Sequence, residues 1–269
     1  MKEVIEALRI LISLAFFIYS SWSDYKTREV SNNVWILFAP PAIALTLTEL
    51  FIFDLDFLAM QLYGLCFGLT TAFALILFYS GGFGGADAKA LMCLALSLPF
   101  YPRELLAPLS GEISPIMQQF FPITVFSNSV LLAALTAVYI LIYNLIWRIR
   151  TGKTLFEGEQ RNEPIGKKML ILITGYKISV KRIKEKWHIY PLEDVEKTEG
   201  KTKRKLVVLP KDEGRNAIVE RLESAAETGE IQDAVWASPG LPMLIFMTAG
   251  LIITLFYGDI IWTCINFVL

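Results

Sequence analysis

Long apolar stretches separated by short polar breaks, and by one large polar insert, give this chain its order. Residues 5–23 hold an apolar run from Ile10 to Trp22 that closes at Ser23-Asp24, with Arg9 near its start placed to reach toward headgroups. Residues 34–53 form a second stretch, which Pro40-Pro41 should kink, and Asp54 and Asp56 mark the polar turn after it. Residues 57–79 are long enough to cross a hydrocarbon core, which takes ~20 residues. Residues 86–101 are apolar but, at ~1.5 Å per helical residue, a few Å short of a full crossing. Residues 126–147 end in Tyr and Trp with Arg148 and Arg150 beyond, an interface signature. Residues 243–269 make a last span, interrupted near Gly258-Asp259. Pro108, Pro115 and Pro122 break residues 102–125 into interfacial or re-entrant pieces. The pattern predicts an α-helical polytopic membrane protein with about six transmembrane helices.

Residues 151–236 differ in kind. Residues 167–174 and 176–183 alternate β-branched and polar positions around Gly175, which predicts a hairpin continued by 187–190. Residues 198–205 read as a charged loop, 206–209 as one more strand, and 215–227 carry helical spacing through Ile218, Leu222 and Ala225. The expected organisation is a membrane domain over 1–150, a small cytoplasmic α+β domain over 151–236, and a final transmembrane helix over 237–269.

Composition agrees with this division. The chain is 54% hydrophobic and 19% charged, too apolar for one water-soluble domain of its length. Of its 25 Lys and Arg, 19 fall between Arg148 and Ser238. Lys26, Arg28 and Lys89 share a side with that insert if the spans alternate, so the positive-inside bias puts the insert in the cytoplasm. The insert's basic runs, 181–186 and 201–205, suit a solvated face or an anionic lipid surface; 15 acids interleaved with them argue against nucleic acid. Cys66, Cys93 and Cys264 all lie in apolar segments without CxxC spacing, so no metal site, disulfide framework or cofactor motif is expected. Glu3 and Glu6 before the first span, and no small-residue cleavage site after it, read as a retained helix and not a removed signal.

Alternation of the spans also brings two acids to one depth. Asp24 ends the first span and Asp87 opens the fourth, both on the cytoplasmic side. Two neighbouring carboxylates share a proton over a wide pH range, so one activates water while the other protonates a carbonyl oxygen. Gly81, Gly82, Gly84 and Gly85 before Asp87 allow positive φ and close backbone approach, as a site for an extended peptide needs. The bland readings are a helix-capping role for Asp87 and an interfacial pairing of Asp24 with Arg28. A small ion-coupled transporter or channel is the competing function, since intramembrane acids also bind cations and relay protons.

Asp24-Tyr25-Lys26-Thr27-Arg28-Glu29-Val30-Ser31-Asn32 and Gly84-Gly85-Ala86-Asp87-Ala88-Lys89, with the six-span layout and the late insert, resemble the GxGD membrane aspartyl proteases, namely the archaeal preflagellin peptidases and related type IV prepilin peptidases. The resemblance implies catalytic roles for Asp24 and Asp87. It places Gly84, Gly85, Ala86 and Lys89, with Lys26, Arg28 and Glu29, in the loops lining the site. Ala86 departs from the family's glycine directly before the acid. The implied activity is removal of the short basic leader of preflagellin and other class III signal peptides at the cytoplasmic membrane face, without cofactor. No loop cysteine tetrad or methyl-donor motif is visible, which predicts a peptidase alone. Glu29 is a candidate to read a basic leader. The helix ends predict an ionised Asp87, at a helix N-terminus, and a protonated Asp24, at a C-terminus.

Overall fold

The computed structural model describes residues 1–53, 57–198, 201–207, 212–240 and 242–268. Its first elements are helices: α1 (Lys2–Thr27), α2 (Asn32–Ile52), α3 (Phe57–Tyr79), α4 (Gly85–Ser97), α5 (Pro115–Gln119) and α6 (Phe121–Thr151). Then come α7 (Ile165–Thr174), β1 (Tyr176–Ser179), α8 (Val180–Glu185), β2 (Ile189–Pro191), β3 (Glu193–Thr198), β4 (Lys201–Leu206), α9 (Asp212–Glu227) and β5 (Ala234–Pro239). The described chain closes with α10 (Met243–Phe256) and α11 (Ile260–Val268). Two compact units result, residues 1–133 with 242–269, and residues 134–241.

In the first unit α1, α2, α3 and α6 are long and apolar enough to cross a membrane, and α10 with α11 makes a span bent by 60°. With 13 residues, α4 is about 20 Å long and falls short of a hydrocarbon core. The protein is thus a helical multi-pass membrane protein carrying a small α+β domain. The turn expected at Asp54 and Asp56 lies outside the described residues.

The short helix α4 is held at both ends. Helix C-termini leave carbonyls without partners, and Pro99 stops α4 from continuing. Thr46 of α2 donates to the carbonyl of Leu96 at 2.8 Å, Arg9 of α1 donates to that of Ser97, and Cys66 of α3 to that of Pro99. Arg9 also pairs with Glu49, and both residues are buried. Arg9 therefore does not reach for headgroups: the uncapped carbonyls and an opposing carboxylate hold it inside. Leu91 and Leu94 of α4, with Leu98 just beyond its end, share an apolar core with Phe17, Phe38 and Leu251.

Residues 102–125 complete the bent span. Where α10 ends, Leu109 N–H donates to the Phe256 carbonyl at 2.8 Å and Ser110 N–H to that of Tyr257 at 3.0 Å. Gly258 takes φ +112, and a Cβ there would lie 2.7 Å from Ser110 Oγ. Asp259 caps α11 by accepting from Trp262 N–H, and Ser114 donates to its other oxygen. The broken segment thus supplies the hydrogen bonds that a break inside lipid requires.

In the second unit the sheet order is β1-β5-β2, antiparallel, with β3 and β4 as a separate hairpin. Residues 167–174 form helix α7 and not a strand, and 176–183 divide into β1 and α8. The expected hairpin around Gly175 is replaced by antiparallel pairing of β1 with the distant β5, Tyr176 lying opposite Ala237. Asn144 fixes the end of α7 by donating to the carbonyls of Leu172 and Gly175. A Cβ at Gly175 would lie 2.4 Å from Leu192. The charged loop expected over 198–205 is largely strand β4, while residues 208–209 of the expected extra strand lie outside the described residues. The helix expected over 215–227 is α9.

Charge is spent internally in this unit. Arg204 pairs with Glu193 and Glu157, Lys184 with Glu223, Lys205 with Glu196, and Arg221 with Asp194. Lys177 is buried 4.0 Å from Glu193 and over the ring of Trp236, with no hydrogen-bond partner for its amine.

Two expectations test this fold. Arg9→Leu strips Glu49 of its partner and should cost about 3–5 kcal/mol, read as a lower unfolding midpoint in detergent, with Arg9→Leu/Glu49→Leu recovering most of it. Burial lowers the Lys177 ammonium to about 8 from its ordinary 10.5. Between those values the folded chain binds fewer protons than the unfolded one, so this group's contribution rises with pH. Lys177→Met should therefore melt above the native chain near neutral pH, and the gap should close as pH approaches 10.5; a gap that grew would contradict the assignment.

Candidate active site

Asp24 lies in the last turn of α1, which ends when Arg28 adopts a left-handed conformation, φ 58, and returns its N–H to the Asp24 carbonyl. Ser31 then caps α2 by accepting from Asn33 N–H. Across the bundle, α3 stops at the glycine stretch, where Gly81 takes φ +77, a conformation that suits a residue without Cβ. Gly84 caps α4, and Asp87 in the first turn accepts from the Gly84 N–H at 3.1 Å. Asp87 is therefore not the capping residue itself but the acid three positions inside, reaching back as in half of a capping box.

These two turns share one end of the first unit. The charge of Asp24 acts on Asp87, and both carboxylates are half-buried. Lys89, two residues on from Asp87, donates to Asn32 Oδ1 at 2.6 Å and so ties α4 to the start of α2. At Gly84 a Cβ would lie 3.1 Å from Asp87 Oδ2, close enough that the carboxylate would have to shift by a few tenths of an ångström. Gly85 has only ordinary contact with Phe78. Ala86 is already helical and packs against the apolar core, so its methyl group fits and the departure from glycine leaves the turn intact. Phe83 anchors the loop edge-on to Phe126, centroids 5.5 Å apart.

The other expected residues are less involved. Lys26 lies over the exposed Trp22 ring, 5.0 Å from its centroid, and the Glu29 side chain is exposed. The Glu29 carbonyl accepts from Ser23 and Thr27, which shapes the turn after α1. Arg28 acts on Asp24 by charge without forming an ion pair with it, and its Nε is buried without a hydrogen-bond partner. The backbone amide of Leu244, in the first turn of α10, faces the Asp24 carboxylate. Nothing in the sequence around Leu244 marks it.

Two family models match the chain: the type IV leader peptidase family over residues 11–144, and the archaeal peptidase A24 C-terminus, type II, over residues 167–260. The chain belongs to the type IV leader peptidase family. It is a peptidase, and the transporter reading falls away. A preflagellin peptidase of Methanococcus voltae is 26% identical over 249 residues, covering 92% of this chain and 94% of the relative. One of Methanococcus maripaludis is 22% identical over 260 residues, covering 94% and 96%. Both matches take in the insert as well as the spans.

The geometry of this peptidase predicts that Gly84→Ala displaces the Asp87 carboxylate. Peptide cleavage should fall by up to about 10-fold, since the added methyl group asks the carboxylate to yield only a few tenths of an ångström, with the unfolding midpoint unchanged. Ala86→Gly should leave cleavage within about twofold. Equal activity of the native chain and Gly84→Ala would remove the close-approach argument.

Proposed function

We propose that the chain is an intramembrane aspartic endopeptidase that removes the short basic leader of preflagellins and similar class III precursors. What supports this reading is that Asp24 and Asp87 lie at the same end of the bundle, near enough for the charge of Asp24 to act on Asp87, whose carboxylate accepts from the Gly84 N–H. Two carboxylates that repel when both are ionised hold one proton between them. The ionised acid takes a proton from water as it attacks the scissile carbonyl, and the other gives its proton to the carbonyl oxygen. The resulting tetrahedral adduct collapses as the nitrogen leaving group is protonated, which returns the pair to its starting charge. The carboxyl pair supplies both the base and the acid.

The names of the two relatives support preflagellin as the substrate. The cytoplasmic face is the side on which Lys26, Arg28 and Lys89 lie beside the acids, as the positive-inside rule requires. Glu29, exposed on the turn after Asp24, is placed to meet a basic leader. Anionic lipid remains a partner for the insert, and α7 is the better contact. Its Ile165, Met169 and Leu170 are exposed, while many of the insert's bases are paired with acids.

Asp24→Asn and Asp87→Asn, each purified and checked for an unchanged unfolding midpoint, should each reduce cleavage of a preflagellin-type leader by at least about 10³-fold, the loss expected when one half of an acid–base pair is removed. Full activity in either variant would break the mechanism and return that acid to a structural role.

A further inference from the structure

At the end of the first unit away from Asp24 and Asp87 lies a cavity of about 300 Å³ between α1, α2, α3 and the chain after α4. Eighteen residues of α1, or about 27 Å, separate Glu6 in its wall from Asp24. Its apolar wall includes Leu50, Leu62, Phe100 and Tyr101, and Tyr101 is fixed by donating its hydroxyl to the Leu255 carbonyl. Its charged wall includes Glu6, Arg9 and Glu49.

The charges in this wall do not pair off. The Arg9 guanidinium bonds to Glu49 and to the Ser97 carbonyl. Glu6 is 4% exposed, and its Oε2 is buried without a hydrogen-bond partner. Nearer the surface, Lys2 lies 3.7 Å from Glu104, and the exposed Arg103 also lines the opening. A buried carboxyl without a partner is costly unless something supplies a donor. The cavity is far larger than a bare ion, and no cluster of three His, Cys, Asp or Glu occurs among the described residues, so a metal ion is a poor fit. Glu49 is paired with Arg9 and Glu104 lies by Lys2, which leaves Glu6, its Oε2 without a donor, in a pocket of headgroup size that Phe100 and Tyr101 also line; this matches an organic ammonium, held by charge at Glu6 and by contact with the aromatic residues.

We propose that this pocket binds an organic ammonium group through Glu6, with Phe100 and Tyr101 as its aromatic wall. A ligand that also carries an anion, as a phosphoethanolamine group does, would set that anion toward Arg103. The ammonium can belong to a lipid headgroup or to a dissolved amine; the recognition is the same. Because Glu6 adjoins the Arg9 contact that holds α4, an occupied site should also stiffen the bundle.

The test measures the unfolding midpoint of the full chain, first in detergent with added phosphoethanolamine, then in nanodiscs of phosphatidylethanolamine against phosphatidylglycerol. Native mass spectrometry counts the bound molecules. Saturable binding of one phosphoethanolamine, or selective retention of one phosphatidylethanolamine, supports the site, and the arm that responds identifies the source. Glu6→Gln keeps the side chain's size and should weaken binding at least tenfold; Phe100→Leu, which leaves every charge in place, should weaken it several-fold. Absence of binding in both arms, or equal binding by the native chain and both variants, would overturn the proposal. Cleavage by the native chain is read separately, so failure here leaves the aspartic mechanism standing.

Discussion

The capping of α4 by side chains of its neighbours is the constraint on which the membrane unit depends. A helix of 13 residues ends inside the bundle, where its last carbonyls have no water to turn to. Arg9, Thr46 and Cys66 supply the donors from three different helices. Such donors fix the depth of α4, because sliding the helix by one turn would abandon all of them. Ten residues back along the helix, about 15 Å, that depth becomes the position of Asp87. A polar contact at one end of the bundle thus sets the geometry of the acids at the other.

At the acidic end, three backbone devices converge. The left-handed turn at Arg28 stops α1 just beyond Asp24, the glycine stretch lets the chain double back into α4, and the start of α10 brings an amide against Asp24. Each acid therefore lies at a helix terminus and not in mid-span, where water can reach it and where the cost of burying an acid is lower. Gly84 is the narrowest point in this arrangement, since its missing side chain is the space in which the Asp87 carboxylate bonds back to the loop. Ala86 needs no such space, which is how the chain departs from the family pattern without disturbing the turn.

The insert is built on different physics. Its core is a small sheet covered by α8 and α9, with Ile183, Val219, Leu222 and Val235 buried among others. Its many charges are largely reconciled within the domain, including Glu193, which is fully buried between Gln160 and Arg204. That internal pairing explains how so charged a segment folds compactly.

The membrane-spanning pattern, the interruption at Gly258-Asp259, helix α9 and the candidacy of Asp24 and Asp87 were all legible in the sequence. Each rests on local information: run length, periodicity, or a polar group at the edge of an apolar run. What the sequence could not yield depends on partners far away in the chain. Residues 167–174 look like a strand, yet they form a helix because β1 takes β5 as its partner and Asn144 caps the helix end. Arg9 looks like a headgroup anchor, yet it is buried because Ser97 and Glu49, 88 and 40 residues on, meet it there. The amide of Leu244 facing Asp24 leaves no mark in composition at all. Periodicity and charge determined which segments enter the membrane and where acids interrupt them; only tertiary packing decided which donors each carbonyl and carboxylate would find, because those donors come from helices that the chain order does not place side by side.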